Sequence, residues 1–213
     1  KPNMAIVGGS KISTKIQLLN NLIEQFSIVA IGGAMANTFL LANNYNIGKS
    51  LVEKDLIQEA NNIQLNAKKS NCELILPTDV LCGKNIHDTN PVNCKIHEMS
   101  PEEMILDIGE NSTEFINNKI INSKMVLWNG PVGAFEFQPY DKATNAIANV
   151  IKVHAKKLNI NTLAGGGDTV SAIKNTNAED GFNYISNAGG AFLEWLEGNE
   201  SPGVKSLKEN ILT

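Results

Sequence analysis

The sequence contains no arginine: all eighteen of its basic residues are lysine. Without a guanidinium there is no planar, bidentate clamp for phosphate or carboxylate, so lysine ammonium groups and backbone N–H groups must hold any such ligand. Cysteine is scarce as well. Cys72, Cys82 and Cys94 make neither a CxxC pair nor a dense framework, which excludes a disulfide scaffold and points to a reducing, cytoplasmic compartment. The irregular spacing of His87, Cys94 and His97 fits no zinc pattern. No apolar run approaches membrane-spanning length and no signal-peptide pattern is visible, so no membrane association is expected. Positive charge is also in deficit. A net charge of −4 gives no general attraction to nucleic acid or an anionic surface, so any phosphate binding must be local.

What is present is an ordinary globular composition, 42% hydrophobic and 19% charged, over 213 residues. That length suits one domain or at most two small ones. Short apolar runs (4–7, 28–31, 74–76, 80–82, 124–128, 160–164 and 183–186) alternate with segments of helical period, such as Ile12, Ile16, Leu19 and Ile23 or Val52, Leu56, Ala60, Ile63 and Ala67. The alternation predicts an α/β fold: three layers, with a mostly parallel, six-stranded, Rossmann-like sheet covered by helices. A helix is expected from about Ile12 to Gln25, and another from Ser112 to Ile121 with Asn111 or Ser112 as its cap.

The punctuation is the informative part. Strand after strand runs into paired glycines: Gly8-Gly9-Ser10, Gly32-Gly33-Ala34, Asn129-Gly130-Pro131-Val132-Gly133-Ala134, Gly165-Gly166-Gly167 and Gly189-Gly190. In such sheets ligands bind beyond the carboxyl ends of the strands, and glycine lets backbone N–H groups approach an anion at a helix N-terminus. Asp168 complicates that reading, because a carboxylate repels phosphate unless a hard cation such as Mg²⁺ bridges them. Asp168 or Thr169 equally suits a plain helix cap, and the segment alone leaves both readings standing. Lys11 and Lys15, four apart, share a face of the expected first helix, where mutual repulsion and the helix dipole both disfavour them. A polyanion would reverse both penalties. Two solvated lysines remain the plainer account. Ile47-Gly48-Lys49-Ser50 imitates the end of a P-loop but has Asn43 where the pattern needs glycine. No G-x-G-x-x-G opens the first strand–helix unit, which argues against a dehydrogenase.

Taken in order, these motifs resemble the C-terminal, nucleotide-binding domain of the phosphoglycerate kinase family. They are Val7-Gly8-Gly9-Ser10-Lys11 with Lys15, Ile31-Gly32-Gly33 with Asn37-Thr38-Phe39, Gly48-Lys49-Ser50-Leu51, Leu76-Pro77-Thr78-Asp79, Leu106-Asp107-Ile108-Gly109, Trp128-Asn129-Gly130-Pro131-Val132-Gly133 with Phe135-Glu136, Gly165-Gly166-Gly167-Asp168-Thr169, and Leu193-Glu194 to Pro202-Gly203-Val204. The resemblance implies reversible phosphoryl transfer between 1,3-bisphosphoglycerate and ADP, giving 3-phosphoglycerate and ATP. It assigns Lys11, Lys15, Gly166 and Gly189 to catalysis, with Lys11 against the transferring phosphoryl group and Lys15 against the nucleotide phosphates. Asp168 is expected to hold Mg²⁺, with Gly165, Gly166, Gly167 and Thr169 at the phosphate-facing helix end. Gly9, Ser10, Gly33, Ala34, Leu51, Leu106, Asn129, Pro131 and Val132 are expected around the nucleotide, and Glu136 on the ribose hydroxyls. The resemblance runs from Lys1 to about Leu207, with residues 1–203 as the nucleotide-binding domain. Residues 204–213 are expected as a tail packing on an N-terminal domain missing from this sequence, which opens at Lys1-Pro2 like a piece of a longer polypeptide. A monomer is expected, with the bisphosphoglycerate site on that missing domain and little turnover by the fragment alone. The alternative is a nucleotide-binding module without catalysis. The turn at Asn187-Ala188-Gly189-Gly190, followed by Phe192, departs from the family's commoner form, as does Ala34 where glycine is frequent.

Overall fold

A computed structural model describes residues 2–186. In chain order the elements are β1 (Asn3–Val7), α1 (Ile16–Gln25), β2 (Ile28–Ile31), α2 (Met35–Ala42), α3 (Ile57–Lys69), β3 (Glu73–Ile75), β4 (Asp79–Gly83), β5 (Val92–Lys95), β6 (Met104–Ile108), α4 (Glu110–Ile121), β7 (Met125–Asn129), α5 (Lys142–Leu158), β8 (Asn161–Gly165), α6 (Gly167–Asn175) and β9 (Tyr184–Ser186). Gly189 and the expected tail lie outside the described residues.

The expected α/β architecture is present. Six strands form a parallel sheet in the order β3-β2-β1-β7-β8-β9. The period-2 alternation of side chains decides what each face packs against. Met4, Ile6, Ile28, Ala30, Val126 and Trp128 join Ile116 and Ile120 of α4, Ile147 and Ile151 of α5 and Ile173 of α6 in one core cluster. Ala5, Val7, Val29, Ile31 and Leu127 join Leu18, Leu19, Leu22, Phe39 and Ile63 of the helices on the other face. A strand buried on both faces has to be apolar at every position, which is why β1 and β2 read as unbroken hydrophobic runs. Each fully buried leucine or isoleucine contributes about 1.5–3 kcal/mol, so the two clusters dominate the favourable side of folding.

Three further strands, of which the run 80–82 was expected within the main alternation, form a second sheet. β4, β5 and β6 pair antiparallel in the order β5-β4-β6, with a bulge between Leu81 and Cys82 on the β6 side. The reason is local: β5 is mostly exposed and polar, so it cannot occupy a place buried on both faces. This small sheet packs through Leu81 and Leu106 against Tyr140, just before α5, and through Val80 and Cys82 against Leu40 of α2.

Two expectations about helix ends are corrected. The first helix begins at Ile16, not Ile12. Residues Ile12–Thr14 form a 3₁₀ turn, and Lys15 sits between the two with φ −133°. Lys11 and Lys15 therefore do not share a helix face, and the repulsion argument built on that spacing lapses. At α4 the flanking residue is Gly109, and neither Asn111 nor Ser112 caps it. The carboxylate of Asp79 does so from β4, accepting from the backbone N–H groups of Asn111 (2.9 Å) and Ser112 (2.7 Å).

Candidate functional site

The carboxyl ends of β1, β2, β7 and β8 meet on one rim. Their glycine turns are stitched together by backbone: Gly8 N–H donates to the Asn129 carbonyl at 3.0 Å, Gly32 N–H to that of Val7 at 3.0 Å, and Gly33 N–H to that of Val132 at 2.7 Å. Gly33 has φ +68° and no room for a side chain, since a Cβ there would lie 2.7 Å from the Gly9 nitrogen. Gly166, at φ +99°, precedes α6 and turns the chain sharply from β8 into the helix. Thr169 fixes the far side of the rim by accepting from the Gly130 N–H at 2.7 Å.

Between the two sheets this rim borders a cavity of about 420 Å³, within the range of small-molecule sites. Its walls are mainly apolar. Leu51, Leu106, Pro131 and Val132 line it, as do Gly33 and Ala34 at the start of α2. Gly9, Ser10, Glu136 and Asp168 supply polar groups to the same space. Ten of the sequence-chosen residues thus border one cavity. The exposed Leu51, at 52% relative accessibility, offers a flat apolar surface. Asp168 and Glu136 are exposed to solvent.

The remaining chosen residues stand around this cavity without lining it. Lys11 is exposed on the turn after β1, where its charge helps to lower the pKa of Glu53. Gly165, Gly166, Gly167 and Thr169 form the β8–α6 junction, adjoining Asp168. Lys15 is turned inward. Its Nζ donates to the carbonyls of Gly8 (2.7 Å) and Asn129 (3.2 Å) and to Asn129 Oδ1 (2.6 Å). Burial lowers its pKa to about 8, against the attraction of the Asp168 carboxylate. Asn129 is buried behind the rim, its Nδ2 donating to the Gly165 carbonyl at 2.8 Å.

Two motif residues to which the sequence assigns no site role bring unusual chemistry to this cavity. Asp107 lines it at 2% accessibility. Its carboxylate accepts from the N–H groups of Ile108 (2.9 Å) and of Ala143 in the first turn of α5 (3.0 Å), yet burial outweighs both and pushes its pKa up to about 8. Asn37 also lines the cavity. Its Nδ2 donates to the Leu51 carbonyl at 2.9 Å, while its Oδ1 is buried with no hydrogen-bond partner. An acid inside the apolar run Ile105-Leu106-Asp107-Ile108 was the available signal for the first. Asn37 stands in the motif Asn37-Thr38-Phe39, which carries the resemblance but gives it no role at the site. The Asp168 carboxylate stands without two further acidic or metal-binding side chains, since no group of three or more such residues is found among the described residues. A single carboxylate suits Mg²⁺, which is commonly held by one or two carboxylates together with substrate phosphates.

A family model described as "PGK: Phosphoglycerate kinase" matches residues 1–199. The chain belongs to the phosphoglycerate kinase family. It is 45% identical over 208 residues to the phosphoglycerate kinase of Rhodospirillum centenum, covering 97% of this chain and 52% of that one. It is also 45% identical over 210 residues to that of Novosphingobium aromaticivorans, covering 98% of this chain and 53% of the other. The solved phosphoglycerate kinase of Coxiella burnetii superposes with a TM-score of 0.93 at 37% identity, over 99% of this chain and 53% of that one. The chain therefore spans about half the length of the phosphoglycerate kinases it matches. The fold is shared more widely still, with a TM-score of 0.82 at 23% identity to the enzyme of Pyrococcus horikoshii. Among the described residues no helix is long and apolar enough to cross a membrane.

Proposed function

We propose that this chain supplies the Mg-ADP/ATP site of a phosphoglycerate kinase, which moves a phosphoryl group between 1,3-bisphosphoglycerate and ADP to give 3-phosphoglycerate and ATP. The observation that carries this reading is the cavity of about 420 Å³ whose apolar walls meet the four glycine turns and Asp168. A flat base is accommodated by Leu51, Leu106 and Val132. Glu136 accepts from ribose hydroxyls, and the phosphates extend toward the N-terminus of α6, where unpaired N–H groups and a partial positive charge favour anions. Asp168, with the phosphates, would hold Mg²⁺, which neutralises charge on the oxygens of the group in transfer. Lys11, exposed on its turn, reaches the same group from the β1 side. Gly189 belongs to this arrangement through the family resemblance.

The chemistry asks little more of the protein. A carboxylate or a phosphate oxygen is already a nucleophile, so positioning and charge stabilisation carry the reaction and no general base is required. Handling of the glycerate substrates belongs, on this reading, to the other half of the relatives' length. Titration calorimetry with Mg-ADP, run beside a coupled kinase assay, tests both statements. Binding with little or no turnover by the chain alone is expected. Failure to bind Mg-ADP refutes the nucleotide site, and robust turnover by the chain alone refutes the division of labour.

A further inference from the structure

We infer that Asn129 is a positioning residue: its carboxamide stores the Lys15 ammonium at the rim and competes for it with the phosphate oxygens of a bound nucleotide. The inference rests on the function proposed above. An ammonium group has three protons and no acceptor capacity. All three are engaged here, on the Gly8 carbonyl, the Asn129 carbonyl and Asn129 Oδ1. In this arrangement Lys15 has nothing left to offer a phosphate.

The carboxamide cannot turn aside to release it. Asn129 is 2% accessible, and its Nδ2 is tied to the Gly165 carbonyl at 2.8 Å. A carbonyl only accepts and an ammonium only donates, so the amide orientation is fixed by its two partners rather than chosen. The niche is shaped for the ammonium: Gly130 has φ +97°, and a Cβ there would lie 2.9 Å from Lys15 Nζ. The three acceptors are not equivalent. Two are backbone carbonyls, and that of Asn129 is itself held by the β1–β7 ladder through the Gly8 N–H at 3.0 Å. The third is the side-chain oxygen, which makes the shortest of the three bonds and is the one a phosphate oxygen can replace. Neutral acceptors stabilise a buried cation less than an anion does, in keeping with the lowered Lys15 pKa. The other end of the same carboxamide holds Gly165, the residue that leads into Gly166 and Gly167. One side chain therefore sets both the ammonium and the phosphate-facing turn.

The quantity to measure is the gain in affinity from the phosphates, the ratio of the Kd for adenosine to that for Mg-ADP. Asn129→Asp adds a charge to the store, so this ratio should fall tenfold or more. A ratio unchanged from wild type in Asn129→Asp overturns the inference. The wild-type chain supplies a readout that does not depend on the variants folding. Proton–nitrogen spectra of lysine ammonium groups should show one slowly exchanging signal, absent in Lys15→Met, that is shifted by Mg-ADP or inorganic pyrophosphate and left in place by adenosine. No protected signal, or one that adenosine moves as far, refutes the store. If wild type binds neither adenosine nor Mg-ADP, the proposed function fails, while the pyrophosphate shift still decides the inference.

Discussion

Two glycines of the rim should answer oppositely to the same substitution. At Gly8 an added Cβ would overlap the Pro131 carbonyl oxygen and lie 2.6 Å from its carbon and 2.8 Å from the Gly130 oxygen. Ordinary contact begins at 3.4 Å, so the β7 turn must retreat by 0.8 Å to clear the carbon, the difference between 3.4 and 2.6, and by more to clear the oxygen. All the opposing atoms are backbone, and the β1–β7 ladder on one side and the Gly33–Val132 hydrogen bond on the other resist that retreat. Gly8→Ala should cost about 3 kcal/mol, the upper part of the range for overpacking, or a Tm lower by roughly 6–12 °C for a chain of this size. Because Pro131 and Val132 line the cavity and the Gly8 carbonyl holds Lys15, Mg-ADP affinity should fall about tenfold or more, as expected when a binding group is misplaced by near an ångström. At Gly167, the first residue of α6, an added Cβ meets nothing within 4 Å and no left-handed φ is required. Gly167→Ala should be neutral or stabilising by up to about 1 kcal/mol through the reduced entropy of the unfolded chain. Urea denaturation of the three proteins, with calorimetric titration of each, makes the comparison. Equal stability of Gly8→Ala and wild type, or a larger loss in Gly167→Ala than in Gly8→Ala, would refute the reasoning.

Asp107 predicts a pH dependence. Its folded-state pKa is raised from 3.8 to about 8, so the folded protein keeps a proton that the unfolded chain releases, and stability falls as pH rises from about 4 to about 8. The full effect is on the order of 5 kcal/mol, and the stability of Asp107→Asn should decline less steeply than wild type over that window in denaturant titrations. Asp79 works the other way: hydrogen bonds to Ser112 and Asn111 hold its pKa below the usual carboxylate value despite burial. Asp79→Ala removes the cap of α4 and should cost about 2 kcal/mol, read as a lower urea midpoint with unchanged Mg-ADP affinity. Asp168→Asn should abolish the Mg²⁺ dependence of ADP binding and leave adenosine binding as it was; an undiminished Mg²⁺ effect would remove the carboxylate from its assigned role.

The layered fold and the rim were legible in the sequence because both depend on nearest neighbours along the chain. A strand covered on both faces must be apolar throughout, and a turn that brings two backbones together must lack a Cβ. Runs such as 4–7 and 28–31, each ending in paired glycines, therefore declared both their burial and the edge of the sheet on which a ligand sits. The same residues could not tell which strands pair, because pairing is fixed by contacts between segments far apart in sequence. Hence β4 could be read as an apolar run but not separated into a sheet of its own with β5 and β6. Side-chain direction was equally hidden. The spacing of Lys11 and Lys15 suggested one helix face, yet a 3₁₀ turn between them leaves Lys11 in solvent and folds Lys15 back onto the end of β7, 114 residues away. Asp79 capping a helix begun 31 residues later and Asp107 capping α5 from β6 belong to the same class of fact. Composition and local period thus determined the elements, their burial and the bare-backbone rim. Only the tertiary structure decided which charges meet there, because a hydrogen-bonding partner is chosen by distance in space.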